Sequence, residues 1–184
     1  MNAIIDMSDE EIIKNCISGE ARAQKLLFDK YSRRMMGICL RYAANREEAE
    51  DMLQEGWIKV FRNIQSFRFE GSAEGWIKRI MVNTCLDYLR KTKRMFNQVE
   101  IEVAEGMSHV ELGKNSPDIL TEKDLLKMIH QLSPGYRTVF NLFAIEGYSH
   151  KEIGEMLAIS ESTSKSQYSR ARVQLQKMFQ EENV

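Results

Sequence analysis

The residues with the clearest potential for chemistry lie near the C-terminus, in a helical pattern that follows Ser160. The outer side of this predicted helix and its flanks carry hydroxyl, amide and basic groups: Ser162, Thr163, Lys165, Ser166, Gln167 and Arg170. Such groups form the hydrogen bonds and ion pairs with which proteins contact base edges and phosphates. The pattern therefore predicts a surface that binds DNA.

Two helical patterns joined by very little chain position this surface. Ser149 and Glu152 have the spacing of a capping box, which predicts the start of the first helix, and Ser160 is the candidate N-cap of the second. Steps of four and three place one set of residues on the inward face of the second helix: Ser164, Tyr168, Ala171, Leu175 and Met178. The arrangement predicts a helix-turn-helix. On this stretch alone, a helical hairpin with a solvated outer face remains an open alternative.

A second segment, residues 67–94, combines aromatic and basic side chains. Seven Lys and Arg residues stand against three acidic ones, with Phe67, Phe69, Trp76 and Tyr88 among them. Aromatic rings can stack on unpaired bases while cations follow the phosphates. For Phe67 and Phe69 the binding and packing interpretations both stay open, whereas the apolar periodicity around Trp76 predicts a core position.

A third segment, residues 47–64, begins with acidic and ends with basic side chains, as the helix dipole favours. Within it Asp51, Gln54 and Glu55 lie beside Trp57 and Ile58. This mixture of polar and apolar groups is also suited to docking on a helix of another protein.

Composition narrows the possible classes of function. The net charge of −1 gives no general basic field, so any DNA-binding surface must be local. Cys16, Cys39 and Cys85 have no paired spacing, which predicts reduced, buried thiols. The acidic N-terminus and the absence of a long apolar run predict a cytoplasmic protein.

Catalysis is not expected. None of the three histidines has a metal ligand or nucleophile at motif spacing, and no glycine-rich phosphate loop is present. No cofactor or metal is expected either.

Helical periodicity dominates the chain, which predicts an all-α fold of two small helical domains. Their predicted bounds are residues 1–96 and 123–184, joined by a flexible acidic linker over residues 97–122 that contains Gly106, Gly113 and Pro117. The linker includes a short alternation at Val99–Val103 that has no evident partner strand. The predicted helices run from Ser8 to near Gly19, Ala21 to about Ala43, Asn45 to Ile64, Ser72 or Gly75 to Arg94, up to Leu132, and Ser133 to Gly147, followed by the C-terminal pair.

Three stretches in this order resemble a small bacterial RNA polymerase sigma factor of the extracytoplasmic-function (ECF) group of the sigma-70 family. They are EEAEDMLQEGWIKVFRNI, FRFEGSAEGWIKRIMVNTCLDYLRK and IHQLSPGYRTVFNLFAIEGYSHKEIGEMLAISESTSKSQYSRAR. The resemblance extends from about Ser8 to Phe179. It implies a helical bundle of sigma region 2 and a helix-turn-helix of sigma region 4. The implied function is promoter-specific initiation of transcription, without enzymatic activity. The resemblance also implies control by an anti-sigma factor, which is often membrane-anchored.

The resemblance also implies a role for each candidate residue. Asp51, Gln54, Glu55 and Ile58 would bind the clamp helices of the largest subunit of core polymerase. Capture of an extruded −10 base and contact with its strand would fall to Phe67, Phe69, Lys78, Arg79, Asn83, Arg90 and Lys91. The C-terminal polar set would read the −35 element, and region 4 would contact the flap of the second subunit.

Four residues depart from the family pattern. Ala73 stands where an aromatic residue is common, and Gly75 where Thr is common. Ser164 replaces an inward-facing Val, and Gln167 replaces an Arg. Because Gln pairs well with adenine and Arg with guanine, we expect an altered −35 preference.

Two other classes compete with this interpretation. A response-regulator activator would share the terminal helix-turn-helix, but its receiver domain would alternate strands and helices around buried acids. A helical adaptor that binds only proteins would leave the basic aromatic segment unexplained. Substantial strand content would favour the activator.

Overall fold

The computed structural model describes residues 7–92 and 122–182, which belong to two compact units, Met1–Thr92 and Lys93–Val184. Every regular element in the described ranges is helical, as the all-α prediction requires. The α-helices are α1 (Asp9–Ile17), α2 (Ala21–Tyr42), α3 (Arg46–Asn63), α4 (Ala73–Lys91), α5 (Glu122–Gln131), α6 (Pro134–Phe140), α7 (His150–Leu157) and α8 (Glu161–Glu182). None of these helices has the length and apolar character needed to cross a bilayer.

The N-terminal unit is built on α2, α3 and α4, whose apolar faces pack together. Fully buried side chains from all three helices form its core: Leu27, Met35, Met52, Ile77 and Met81. Asn45 caps α3 as predicted, because its Oδ1 accepts from the N–H of Glu48 at 2.9 Å. Ser72, one of the two predicted starts of α4, caps that helix by accepting from the N–H of Gly75 at 3.0 Å. The three cysteines are free and buried, as expected.

Helix α1 closes one side of this bundle. Ser8 and Glu11 form the predicted capping box at its start. Asp9 in its first turn accepts hydrogen bonds from Tyr31 Oη at 2.5 Å and from Lys30 Nζ at 2.6 Å, both on α2. These contacts fix α1 against α2 near the loop that leads into α4.

The C-terminal unit differs from prediction in its second helix, which was expected to run from Ser133 to Gly147. The α-helix begins at Pro134 but ends at Phe140, and a π-helical segment continues from Asn141 to Ile145. The N–H of Glu146 donates to the carbonyl of Asn141, five residues earlier, which widens this last turn. Gly147 then ends the helix with a φ of 83°.

The predicted linker, with its Val99–Val103 alternation, lies outside the described residues except for Glu122, where α5 begins.

Candidate nucleic-acid interface and helix-docking groove

The turn between α7 and α8 is set by local hydrogen bonds that the sequence predicted. The N–H of Ser149 donates to Glu152 Oε2 at 2.8 Å, and the N–H of Glu152 donates to Ser149 Oγ at 3.3 Å, which completes the capping box. Ser160 Oγ accepts from the N–H of Thr163 at 3.0 Å and so starts α8. The three residues between the helices confirm the short turn of a helix-turn-helix.

Gly154 leaves room for the chain to fold back closely over α7, and the sequence reasoning missed it. Ala158 ends α7 in the left-handed region with a φ of 55°, and the chain folds back over α7. A β-carbon at Gly154 would lie 2.9 Å from the backbone oxygen of Ile159. Because that oxygen belongs to the backbone, it cannot move aside as a flexible side chain would. A glycine inside a helical pattern was the available signal.

Ser164 lies on the inward face of α8, as predicted, and is fully buried. Its Oγ lies 3.0 Å from His150 Nδ1, the partner that satisfies the buried hydroxyl. The His150 ring stacks on Phe143 with centroids 4.1 Å apart, and Tyr168 packs against Phe143 at 4.5 Å. Burial, helped by the nearby ammonium of Lys165, lowers the pKa of His150. The neutral imidazole therefore joins α7 to α8.

The polar side chains predicted for the outer face of α8 differ in their exposure to solvent. Ser162, Lys165 and Ser166 are exposed, whereas Thr163, Gln167 and Arg170 are half-buried. Lys165 Nζ pairs with Glu161 at 2.6 Å. This exposed pair is weak, so its ammonium can exchange to a phosphate at little cost.

Helix α6 supports the inner edge of this face. Arg170 Nη1 donates to Tyr136 Oη at 3.4 Å, and Gln167 Oε1 lies near Gly135. These contacts with a neighbouring helix orient the side chains of Gln167 and Arg170.

In the N-terminal unit, the two loop phenylalanines have different environments. Phe67 is only 9% exposed, and its ring centroid lies 5.0 Å from that of Phe69 and 5.4 Å from that of Trp76. Phe69 is 40% exposed and has a φ of 58°, unusual for an aromatic residue. Of the two rings, that of Phe69 is open to solvent while that of Phe67 packs beneath it, and base stacking by either stays a prediction. Lys14 of α1, which was not predicted, places its ammonium 5.8 Å from the Phe69 ring centroid.

Helix α4 continues this surface along one face. Arg79 and Asn83 are exposed and lie one turn apart, while Lys78 is half-buried. Trp76 is half-buried, against the prediction of a core position. The reason is that it lies in the first turn of α4, at the edge of the core beside Phe67.

Arg90 and Lys91 lie in the last turn of α4, where they make ion pairs. Lys91 Nζ lies 3.5 Å from Glu55 of α3, and Arg90 Nη1 lies 2.9 Å from Asp87. Asp87 in turn pairs with Lys59 of α3 at 3.1 Å. The structure therefore connects these two predicted −10 residues to α3 by an ion-pair network.

The departures at Ala73 and Gly75 lie at the start of α4. Ala73 is buried, with 3% of its surface exposed. A β-carbon at Gly75 would lie 3.0 Å from the capping oxygen of Ser72. A larger residue at Gly75 would therefore press on the cap that positions the loop.

Helices α2 and α3 form a groove with a volume of about 620 Å³. Asp51, Gln54 and Ile58 are exposed along α3, and Glu55 is half-buried beside them. The groove is lined by Phe28, Glu50, Asp51, Leu53, Gln54, Trp57, Ile58 and Phe61. Three of the four residues predicted to bind another protein thus line one concave surface, and Phe28 is a contributor that the sequence reasoning missed.

Comparison with known proteins identifies the family. Residues 27–95 match the family described as sigma-70 region 2, and residues 122–175 match sigma-70, region 4. The ECF RNA polymerase sigma factor SigW of Bacillus subtilis is 31% identical over 186 residues, covering 96% of this chain and 100% of that protein. The ECF RNA polymerase sigma-E factor of Haemophilus influenzae is 29% identical over 184 residues, covering 95% and 96%.

A solved structure agrees in fold. The sigma factor RpoE of Bartonella quintana, in complex with the anti-sigma factor NepR, has a TM-score of 0.53 and 22% identity, covering 85% of this chain and 96% of that chain. At this identity the likeness concerns the fold alone. The region 2 and region 4 matches and the similarity to SigW carry the assignment: this chain belongs to the extracytoplasmic-function group of the sigma-70 family.

Proposed function

We propose that this non-enzymatic initiation factor binds core RNA polymerase through α3, captures a −10 base with the loop before α4, and reads the −35 element with α8. The observation that carries the proposal is the short capped turn that presents α8, with its hydroxyl, amide and basic groups outward. A recognition helix held in this way suits the major groove.

The proposed polymerase contact is the exposed edge of α3. Asp51, Gln54 and Ile58 project from it, and Glu55 adds a carboxylate shared with Lys59 and Lys91. Polar groups beside an exposed apolar residue suit a helix that carries complementary charge. We assign the partner as the clamp helices of the largest subunit, with the flap of the second subunit as the partner of region 4.

The proposed −10 surface runs from Phe69 through Phe67 and Trp76 to Arg79 and Asn83. Ring contacts connect the three aromatic residues, and helical spacing continues the surface along α4. Extruding a base from the stack costs a few kcal/mol, and binding of the base in a protein pocket offsets this cost. Strand opening is then driven by binding energy, with no bond chemistry.

The proposed control is an anti-sigma factor that covers the polymerase-binding faces. One support is that a similar fold, the sigma factor RpoE, was solved in complex with the anti-sigma factor NepR. A second similar fold, CnrH, was solved in complex with the cytosolic domain of CnrY. We propose a cytoplasmic location and a partner that is membrane-anchored or soluble. A pull-down from cells not exposed to the inducing signal should recover it, and recovery of polymerase alone would favour control by expression level.

Run-off transcription with bacterial core enzyme and a genomic promoter library tests the function directly. We expect transcripts that depend on this protein and share two upstream elements. Core-dependent transcripts with no shared elements would count against the proposal.

Two sets of variants test the division of labour. Replacing Asp51, Gln54 and Glu55 with Ala should weaken core binding by about tenfold or more, because a few residues near the centre of an interface, each worth more than about 1 kcal/mol, carry most of the binding energy. Asn83→Ala should leave core binding intact and reduce the permanganate reactivity of thymines in the opened promoter. Glu20→Ala and Gln131→Ala, which remove an exposed carboxylate and an exposed amide outside α3 and α4, serve as matched controls. Normal opening by the Asn83 variant would remove that residue from its assigned role.

A further inference from the structure

Helix α1 brings a cation to the loop that precedes α4. Lys14 lies in the last turn of α1 and places its ammonium 5.8 Å from the ring centroid of Phe69. Both side chains are open to solvent, and the positive φ of Phe69 gives the loop an unusual backbone conformation at this ring. The ring and the cation therefore form one accessible surface, although they belong to elements that are distant in the sequence.

The loop has firmer attachments than this cation. Phe67 is buried and packs against Trp76, and the hydroxyl of Ser72 caps α4. A cation beside an exposed aromatic ring contributes only about 0.5–1 kcal/mol. The loop therefore does not depend on the charge of Lys14, which leaves this charge available to a ligand.

The ion pair of Lys14 is easily exchanged. Its Nζ lies 2.6 Å from Glu10 Oε1, but the two side chains are 60% and 58% exposed, and such pairs contribute at most about 1 kcal/mol. Glu10 lies in the first turn of α1, where the helix dipole stabilises a carboxylate. A second carboxylate near Lys14, that of Glu11, is held by the capping box with Ser8. Lys14 can therefore move from Glu10 to a phosphate at little cost in free energy.

An exposed ring with a cation beside it suits unpaired nucleic acid, because the ring stacks on a base while the cation pairs with the backbone. We infer that Lys14 binds a backbone phosphate of the unpaired −10 strand, at the nucleotide whose base stacks on Phe69. This inference rests on the proposed function and adds to it a contact from α1, which lies outside the proposed −10 surface. The strand then continues from Arg79 and Asn83 on α4 across the loop to α1.

The salt dependence of binding tests for a phosphate contact. The probe is a promoter from the run-off assay, prepared with its −10 region unpaired, and its affinity for the holoenzyme is measured at several KCl concentrations. Lys14→Met removes the charge and keeps an apolar arm beside Phe69. We expect the slope of log affinity against log salt to become shallower by about 0.7 and the affinity at 0.1 M salt to fall about fivefold, as for the loss of one single-strand phosphate contact. Lys14→Arg should retain the slope because it keeps the charge.

Lys25 of α2 provides a matched control. It pairs with Asp29, also four residues away and also at 2.6 Å, and the two side chains are 74% and 53% exposed. Lys25→Met therefore removes the same charge from a pair of similar geometry and should leave the slope unchanged. An unchanged slope for Lys14→Met, or an equal change for both variants, would overturn the inference. A fall in affinity without a change in slope would identify Lys14 as a residue that only positions Phe69, and would overturn it as well.

Two further measurements separate this inference from the proposed function. If the parent holoenzyme binds the unpaired promoter and Asn83→Ala weakens that binding, the proposed −10 surface stands whatever the result at Lys14. A loss of core affinity in Lys14→Met would place the contact of Lys14 on polymerase and overturn the inference alone. A parent holoenzyme that does not bind the unpaired promoter would overturn both.

Discussion

At the residue scale, Ser164 shows how one departure from the family pattern is accommodated. A hydroxyl stands at a fully buried position of α8 where a methyl group would pack. An unpaired buried hydroxyl would cost about 1–3 kcal/mol, but His150 lies within hydrogen-bonding distance. Ser164 of α8 is therefore paired with His150 of α7, and this departure leaves the outer face of α8 unchanged.

Gln167 is the departure that changes the outer face. It is half-buried beside α6, so its amide is held at the edge of the reading surface. Gln167→Arg should shift preference at one −35 position towards guanine by roughly 1–3 kcal/mol, since Arg contacts two acceptors of guanine. Binding of the holoenzyme to promoters that vary at each −35 position measures the shift.

Lys165→Ala and Arg170→Ala are the comparison for that experiment. We expect both to weaken binding evenly across the promoters, as losses of phosphate contacts do. An even loss from Gln167→Arg would contradict a base-reading role for this position.

At the element scale, α7 is joined to α8 through a neutral imidazole. The His150 ring stacks on Phe143 and is partly removed from solvent. Lys165 of α8 adds a repulsive positive charge, and the carboxylate of Glu161 partly offsets it. Both main effects lower the pKa of His150 in the folded state. The unfolded chain, with an ordinary His pKa of about 6.5, then takes up the proton first as the pH falls.

The stability of the helix-turn-helix should therefore decrease as the pH falls below about 6.5 and level off below the lowered pKa of His150. Thermal unfolding of the full chain as a function of pH measures this decrease. His150→Asn should reduce the pH dependence. An NMR titration that places the pKa of His150 at or above 6.5 would contradict the prediction.

At the scale of the whole molecule, the length of the linker that the sequence predicts gives an expectation for the reach of the two domains. Promoter elements two helical turns apart are separated by roughly 70 Å along the DNA. A random coil of about 25 residues spans only about 25–30 Å on average, although its extended limit is near 80 Å. Core polymerase would have to hold the domains further apart than the free chain does.

We therefore expect weak, salt-sensitive promoter binding by the free protein, and an increase in interdomain distance when core enzyme is added. The linker carboxylates of Glu100, Glu102, Glu105 and Glu111 would add to the weakness by repelling phosphates. An unchanged distance on adding core would refute the expectation.

The structure determines where distance labels can be attached. Cys85 is fully buried, so it cannot serve as a labelling site, and Cys16 and Cys39 are buried as well. Exposed positions are available in both domains, and Arg22→Cys with Ser169→Cys provides one pair. The buried native thiols react slowly, so they can remain in place.

The sequence by itself determined the features that depend on local interactions. The capping boxes at Ser8 and Ser149, the cap at Ser160 and the inward face of α8 all follow from residues within one or two turns of each other. Helix type and most helix ends could be predicted for this reason. Three family motifs in order were sufficient to suggest the family.

Only the tertiary structure decided which side chains meet across helices. Helical periodicity indicates which face of a helix a residue lies on, but not which residue it contacts. It therefore predicted a core position for Trp76, whereas the structure places Trp76 at the edge of the core against Phe67. It could not show that Lys91 pairs with Glu55, or that Phe28 of α2 completes the groove of α3. The last two contacts join residues more than 20 positions apart in the chain, and their geometry depends on how the helices pack.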